Sequence, residues 1–173
     1  DLTAAEQILD AETDAATAEI RQLLDELEQF AATGKSVAEL LEETRPSLYF
    51  VRTLDEAGQP SVGTAFVLFS DSDASYLLTS YETVRAATVS PGPQIEVLQG
   101  SNALPVQLNG WDAARDLALL VAADAPNLPA IEIGDPAAVE AGDRVFAVSG
   151  LGAAGGAIVQ GFIADVAANA IQH

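Results

Sequence analysis

The chain has 173 residues, of which 49% are hydrophobic, and this length and composition allow one domain with a buried core plus a short appendage. Its 26 acidic and 7 basic residues give a formal net charge of -19, which repels nucleic acid and anionic lipid surfaces and excludes a nucleic-acid-binding role. The sequence has no cysteine, so it forms neither disulfides nor thiolate metal sites.

Residues 1–44 are predicted to be an N-terminal helical segment, because they are rich in Ala, Glu and Leu and contain no proline and one glycine. Apolar residues recur at spacings of three and four, which is typical of one apolar stripe along an amphipathic helix. A short second helix is expected from Ser36 to Leu41. The stripe packs either on its own domain or on another chain. The stripe residues predicted to contact protein are Ile20, Leu23, Leu24, Leu27 and Phe30.

Beyond Arg45–Pro46 the apolar periodicity changes to that of β-strands. Short runs rich in β-branched and aromatic residues alternate with Gly, Pro, Asp and Ser. This spacing predicts an all-β barrel or sandwich. The predicted strands are SLYFVRTL, TAFVLF, SYLLTS, IEVLQG, PVQLNGW, LALLVA, AIEIG, DRVFAVSG and AIVQGFIADV.

Four segments, in this order, resemble trypsin-like serine proteases of the bacterial high-temperature-requirement type. SVGTAFVLF resembles the small-residue turn before a core strand, and YLLTSYETV resembles the apolar strand and threonine that precede the family's histidine. ARDLALLVA resembles the segment in which the family's aspartate begins an apolar strand. The segment from 131 to 166 resembles the crossover into the second barrel.

The resemblance implies a mainly β, trypsin-like double β-barrel, with the second barrel incomplete in this chain and an N-terminal α-helical segment before it. The implied divisions are 1–44 for the helical segment, 45–130 for the first barrel and 131–173 for the start of the second. We expect downstream sequence or another chain to supply the remaining strands, because an open apolar sheet leaves edges unpaired.

The resemblance places Glu82 at the histidine position and Asp116 at the aspartate position. In this family an imidazole takes the proton of the nucleophilic serine, and the aspartate orients that imidazole. An ionised glutamate only accepts hydrogen bonds, and beside Asp116 it adds a second negative charge. The pair would repel unless one carboxylate took up a proton or Glu82 turned into solvent.

The serine nucleophile has no counterpart in the printed sequence either. The family's Gly-Asn/Asp-Ser-Gly-Gly loop does not occur, and the one histidine is His173. We therefore expect a catalytically inactive pseudoprotease that acts as a protein-interaction or scaffolding module. The alternative is an active serine endopeptidase completed by downstream sequence or by a second chain that carries the nucleophile.

No cofactor or metal ion is predicted. The acidic pairs Asp71–Asp73 and Asp10–Asp14 do not match the twelve-residue calcium loop. No run of 18 apolar residues occurs, so this segment is not expected to insert into a membrane. The alanine-rich, lysine-poor composition, together with the resemblance, implies an exported protein that is extracellular, periplasmic or anchored outside a membrane.

Overall fold

The computed structural model describes residues 37–149, 158–167 and 170–172, and backbone contacts divide the chain into Asp1–Glu43 and Thr44–His173. Helix α1 spans Val37–Thr44, three residues past the end expected at Leu41. A 3₁₀ turn over Arg45–Ser47 follows it, with proline in its first turn. Proline lacks the N–H that an α-helix interior needs, so the helix ends here and the strands begin.

Six antiparallel strands close into a barrel in the order β1-β2-β3-β6-β5-β4. Because the barrel is closed, each of these strands pairs on both sides and none leaves an open edge. The strands are β1 (Leu48–Leu54), β2 (Pro60–Ser70), β3 (Ser75–Thr79), β4 (Ile95–Gln99), β5 (Asn102–Asp112) and β6 (Leu117–Ala122).

Alternating side chains of these strands fill the barrel. In β3, Ser75, Leu77 and Thr79 are buried, whereas Tyr76 and Leu78 lie on the outer face and are partly exposed. This alternation is what the period of two in the sequence predicts. The core side chains that contact one another inside the barrel are Tyr49, Val51, Ala65, Val67, Leu77, Val84, Ile95, Val97, Val106, Ala118, Leu120 and Ala122.

Buried hydroxyl groups hold the segment that leaves the barrel after β6. Ser75 Oγ donates to the Ala125 carbonyl at 2.6 Å and accepts the Leu128 N–H at 3.1 Å. Ser70 Oγ donates to the Leu128 carbonyl at 2.8 Å. The chain after β6 is therefore fixed beside the turn between β2 and β3.

The strand predicted for AIEIG is wrong. Residues 130–134 carry no strand, and Ile131 donates one backbone hydrogen bond, to the Val67 carbonyl at 2.9 Å. A strand here would need a free barrel edge, but β2 already pairs with β1 and β3. Apolar alternation alone does not show whether a pairing edge is available.

Beyond the barrel, the described residues form two two-stranded sheets. Strands β7 (Arg144–Val148) and β8 (Ile158–Phe162) pair antiparallel, as do β9 (Asp165–Ala167) and β10 (Ala170–Gln172). Val159 and Phe162 of β8 are 64% and 55% exposed. The prediction of a mainly β chain with one closed barrel and an incomplete second barrel is thus confirmed.

None of the helices in the described part of the chain is long and apolar enough to cross a membrane.

The packing of the barrel core predicts that alanine substitutions at two leucines lower the free energy of unfolding by very different amounts. Leu77 is fully buried, so Leu77→Ala should lower the free energy of unfolding by about 2–5 kcal/mol through lost burial and a residual cavity. Leu54 lies at the end of β1 and is 45% exposed, so Leu54→Ala should cost about 1 kcal/mol or less. Urea unfolding measures both, and equal losses would contradict the barrel packing described here.

Candidate functional site

The residues at the histidine position lie in a short helix at the end of β3. Ser80 has extended backbone geometry, and α2 follows over Tyr81–Val84. Thr79 Oγ1 donates to the Thr64 carbonyl at 2.8 Å, and Val84 is fully buried. These two anchors, before and after the helix, fix Glu82 at the rim of the barrel.

Helix α2 approaches β2 so closely that one position accepts no side chain. A Cβ added to Gly63 would lie 2.5 Å from Thr83 Oγ1 and 2.9 Å from Thr83 Cγ2. Ser61 Oγ donates to the Thr83 carbonyl at 2.8 Å. The glycine and the small residues in SVGTAFVLF therefore form the surface on which α2 rests, a contact that the sequence did not reveal.

Asp116 immediately precedes β6, as the resemblance implied, and reaches across to α2. Its carboxylate accepts the Glu82 N–H at 2.8 Å and the Ser80 hydroxyl at 2.8 and 2.9 Å. Its carbonyl accepts the Tyr81 N–H at 3.3 Å. Asp116 holds this position with φ of 55°, a left-handed conformation that aspartate tolerates better than most residues.

Asp116 thus satisfies the first turn of α2 from the turn that precedes β6. Ser80 stands at the N-cap but makes no capping bond to the helix, and its hydroxyl donates to Asp116. The first N–H groups of any helix lack intrahelical partners and need an acceptor. The carboxylate and carbonyl of Asp116 supply that acceptor to Glu82 and Tyr81.

The hydrogen bonds at Asp116 hold its carboxylate in the ionised form. They lower the pKa of Asp116, with the Glu82 N–H as the largest cause and the Ser80 hydroxyl as the second. Partial desolvation acts in the opposite direction, and the Tyr81 N–H adds to the lowering. A carboxylate with a lowered pKa is a weaker base than an ordinary aspartate.

The Glu82 carboxylate turns away from Asp116. It accepts a hydrogen bond from Arg85 Nη1 at 3.1 Å, and Arg85 Nε lies 3.1 Å from Glu56 Oε1 in the β1–β2 turn. The Glu82 side chain is 61% exposed. Repulsion between the two carboxylates is therefore relieved by Glu82 facing solvent and Arg85, one of the two outcomes expected from the sequence.

The structure brings together Glu82 and Asp116, the two predicted site positions, but only through the Glu82 backbone. Sequence reasoning missed Ser80 and Arg85. A serine two residues before the histidine position was the available signal for Ser80.

The five predicted contact residues of the N-terminal stripe lie outside the described residues, so that contact stays a prediction. Among residues 37–149, 158–167 and 170–172, no three His, Asp or Glu side chains cluster to hold a metal ion.

A family model for the trypsin-like peptidase domain matches residues 63–173. The chain belongs to the trypsin-like peptidase family. The match spans β2 through the end of the chain, so it includes both Glu82 and Asp116. No curated protein sequence matches the chain.

Two solved structures of the HtrA-type protease AlgW with tripeptide are similar to this trypsin-like chain. One has 28% sequence identity and a TM-score of 0.59, and the other, a variant, has 26% identity and a TM-score of 0.60. In both cases the similarity covers 76% of this chain and 40% of the AlgW chain. The chain thus spans less than half the length of these HtrA-type relatives.

The hydrogen bonds of Asp116 predict a specific acid sensitivity. A folded pKa below the unfolded value of about 3.9 adds stability above that value, and this contribution is lost as pH falls through the folded pKa. Asp116→Asn removes the ionisable group, so urea midpoints of the variant should fall less between pH 6 and pH 2.5 than those of the unmodified protein. Asp124→Asn, which removes an exposed carboxylate, is the matched control. Equal pH dependence in all three proteins would contradict the role given to Asp116.

Proposed function

We propose that this protein is a catalytically inactive member of the trypsin-like family that acts as a protein-interaction or scaffolding module. The observation that carries the proposal is the set of hydrogen bonds that the Asp116 carboxylate accepts. Its carboxylate accepts hydrogen bonds from Ser80 Oγ and the Glu82 N–H, so the group that orients a catalytic imidazole in this family is used to hold α2.

The base position supports the same conclusion. A general base in acyl transfer must take the nucleophile's proton and return it to the leaving group, within hydrogen-bond reach. The Glu82 carboxylate pairs with Arg85 and has no hydrogen bond to Asp116. The Ser80 hydroxyl donates to the Asp116 carboxylate, and the described residues include no histidine that could act as its base.

The second candidate is an active serine endopeptidase completed by downstream sequence or by a second chain that carries the nucleophile. The specific observation that favours it is the similarity to AlgW, of whose chain this sequence spans 40%. Asp116 also stands where the family has its aspartate. The candidate still requires a base other than Glu82.

A fluorophosphonate probe separates the two candidates. We expect no labelling of the protein and no hydrolysis of casein, because the described residues include no histidine that could act as the base for a serine. Labelling is measured by intact mass, with trypsin as the positive control. Stoichiometric labelling at any serine would establish the endopeptidase and overturn the proposal.

Two variants sharpen this test by rebuilding the base position. In Glu82→His the introduced imidazole competes with Ser80 for Asp116, whereas in Ser80→Ala/Glu82→His it has the second carboxylate oxygen to itself. We expect the imidazole pKa, followed by NMR, to be higher in the double variant by up to about one unit, because a carboxylate partner favours the charged ring. Neither variant should gain activity. Activity in either one would show that only the base had been lost.

Partner strands are the second part of the proposal. Hairpin β7–β8 is a two-stranded sheet, a unit that is marginally stable by itself in water. Val159 and Phe162 on β8 expose most of their surface. We propose that further strands, from downstream sequence or another chain, pair with this hairpin and cover these side chains. Export of the protein stays a prediction.

Hydrogen exchange measures how far the hairpin depends on such strands. Strand β3 and its neighbours in the barrel each pair with another strand on both sides. Among the described residues, β7 and β8 pair only with each other. Amides of β7 and β8 in the 173-residue chain should therefore exchange at least about 100-fold faster than those of β3. Equal protection of the hairpin and β3 would show that the hairpin needs no further strands.

A further inference from the structure

A β-bulge near the end of β2 turns Phe69 to the outside of the barrel. Val67 pairs with Leu77 and Phe69 pairs with Tyr76, so β2 advances two residues while β3 advances one. Without the bulge, Phe69 would point inward like Val67, because alternate residues of a strand share a face. Bulges re-aim side chains in this way. The outward position of Phe69 is thus a product of the local backbone.

Outside the barrel, Phe69 stacks on Tyr76. Their ring centroids lie 4.2 Å apart with an interplanar angle of 15°. Phe69 is nevertheless 46% exposed, so the pair forms an aromatic surface open to water. A parallel stack presents the electron-rich face of a ring, which attracts cations.

Acidic residues follow the stack in the β2–β3 turn and in the segment after β6. Asp71 Oδ1 accepts the N–H groups of Asp73 and Ala74, which closes the β2–β3 turn and leaves the Asp73 side chain exposed at its tip. The Asp71 carbonyl accepts the Asn127 N–H at 3.2 Å, which holds the segment after β6 beside the turn. Asp124 lies in that segment and is exposed.

None of the ion pairs described for this chain joins a basic side chain to these acids. Arg52, Arg85 and Arg115 pair with carboxylates elsewhere on the barrel. Neither Asp73 nor Asp124 takes part in an ion pair within the described residues. The whole chain carries a net charge of -19, so its acidic surface favours a cationic partner.

We propose that the Phe69–Tyr76 stack, with Asp73 in the adjoining turn and Asp124 in the segment bonded to that turn, docks an arginine-bearing segment of a partner protein. Guanidinium fits this surface better than ammonium, because its plane stacks on an aromatic ring while its edge donates to carboxylates. The inference rests on the proposed protein-interaction function and names the chemistry of one partner surface.

The test is a titration of the 173-residue protein with the blocked peptide Gly-Arg-Gly-Arg-Gly, followed by amide NMR. We expect the largest shift changes in residues 69–76 and 124–127. Phe69→Leu, which keeps an apolar side chain but removes the ring, should weaken binding about 2- to 5-fold, the range of an exposed cation–π contact. Asp73→Asn should weaken it by a similar factor. Shift changes spread evenly over all acidic residues would overturn the proposal.

Three controls keep the result specific. Glu132→Gln removes the same charge as Asp73→Asn from an exposed position in another segment, so it should leave peptide affinity within about 2-fold. The same peptide with citrulline in place of arginine should not bind. Sedimentation velocity tests whether the stack instead binds a second copy of this chain. Self-association that Phe69→Leu abolishes would overturn the proposal that the stack binds a different protein.

The peptide titration can fail independently of the labelling test of the proposed function. Tyr76 of the stack lies in β3, and Ser80 of the Ser80–Asp116 pair lies four residues further along the chain, about 14 Å away at 3.4 Å per residue. Probe labelling with intact peptide binding would overturn the inactive assignment alone. Absence of both labelling and peptide binding would overturn only the arginine surface.

Discussion

The pairing of β3 with β6 is the interaction on which both the barrel and the candidate site depend. Thr79 pairs with Ala118, so the chain leaving β3 and the chain entering β6 lie side by side. Strand β6 begins 38 residues after the end of β3, and this pairing places the two strands side by side. Strands β5 and β4 then complete the ring. Ser80 and Asp116 meet because they flank this pair. Without it, the two residues would belong to separate parts of the chain.

At that junction the Asp116 carboxylate holds the first turn of α2. Asp116 is ionised, exposed and hydrogen-bonded to the start of α2, while Glu82 faces Arg85 on the outside. A histidine at position 82 would need a carboxylate oxygen that Ser80 now occupies. Under the proposed function, the glutamate at position 82 and the hydroxyl of Ser80 together leave Asp116 as a support for α2.

The two proposed interaction surfaces have different physical origins. The hairpin β7–β8 exposes apolar side chains because it has only two strands. The Phe69–Tyr76 stack is exposed because a bulge reverses the direction of Phe69. The first surface favours added strands with apolar side chains, and the second favours a cationic side chain. Under the proposed function, the protein would hold two partners of different chemistry.

Sequence by itself determined the β-rich character of the chain, the inward faces of strands such as β3, and the positions of Glu82 and Asp116 relative to the family motif. These features follow from periodicity and order, which are local properties. Only the tertiary structure decided that AIEIG forms no strand, that Phe69 points outward and that Ser80 donates to Asp116. Each depends on a partner distant in sequence: an occupied barrel edge, a register shift against β3, or a residue 36 positions away. Such long-range pairings leave no periodic signal in a single sequence.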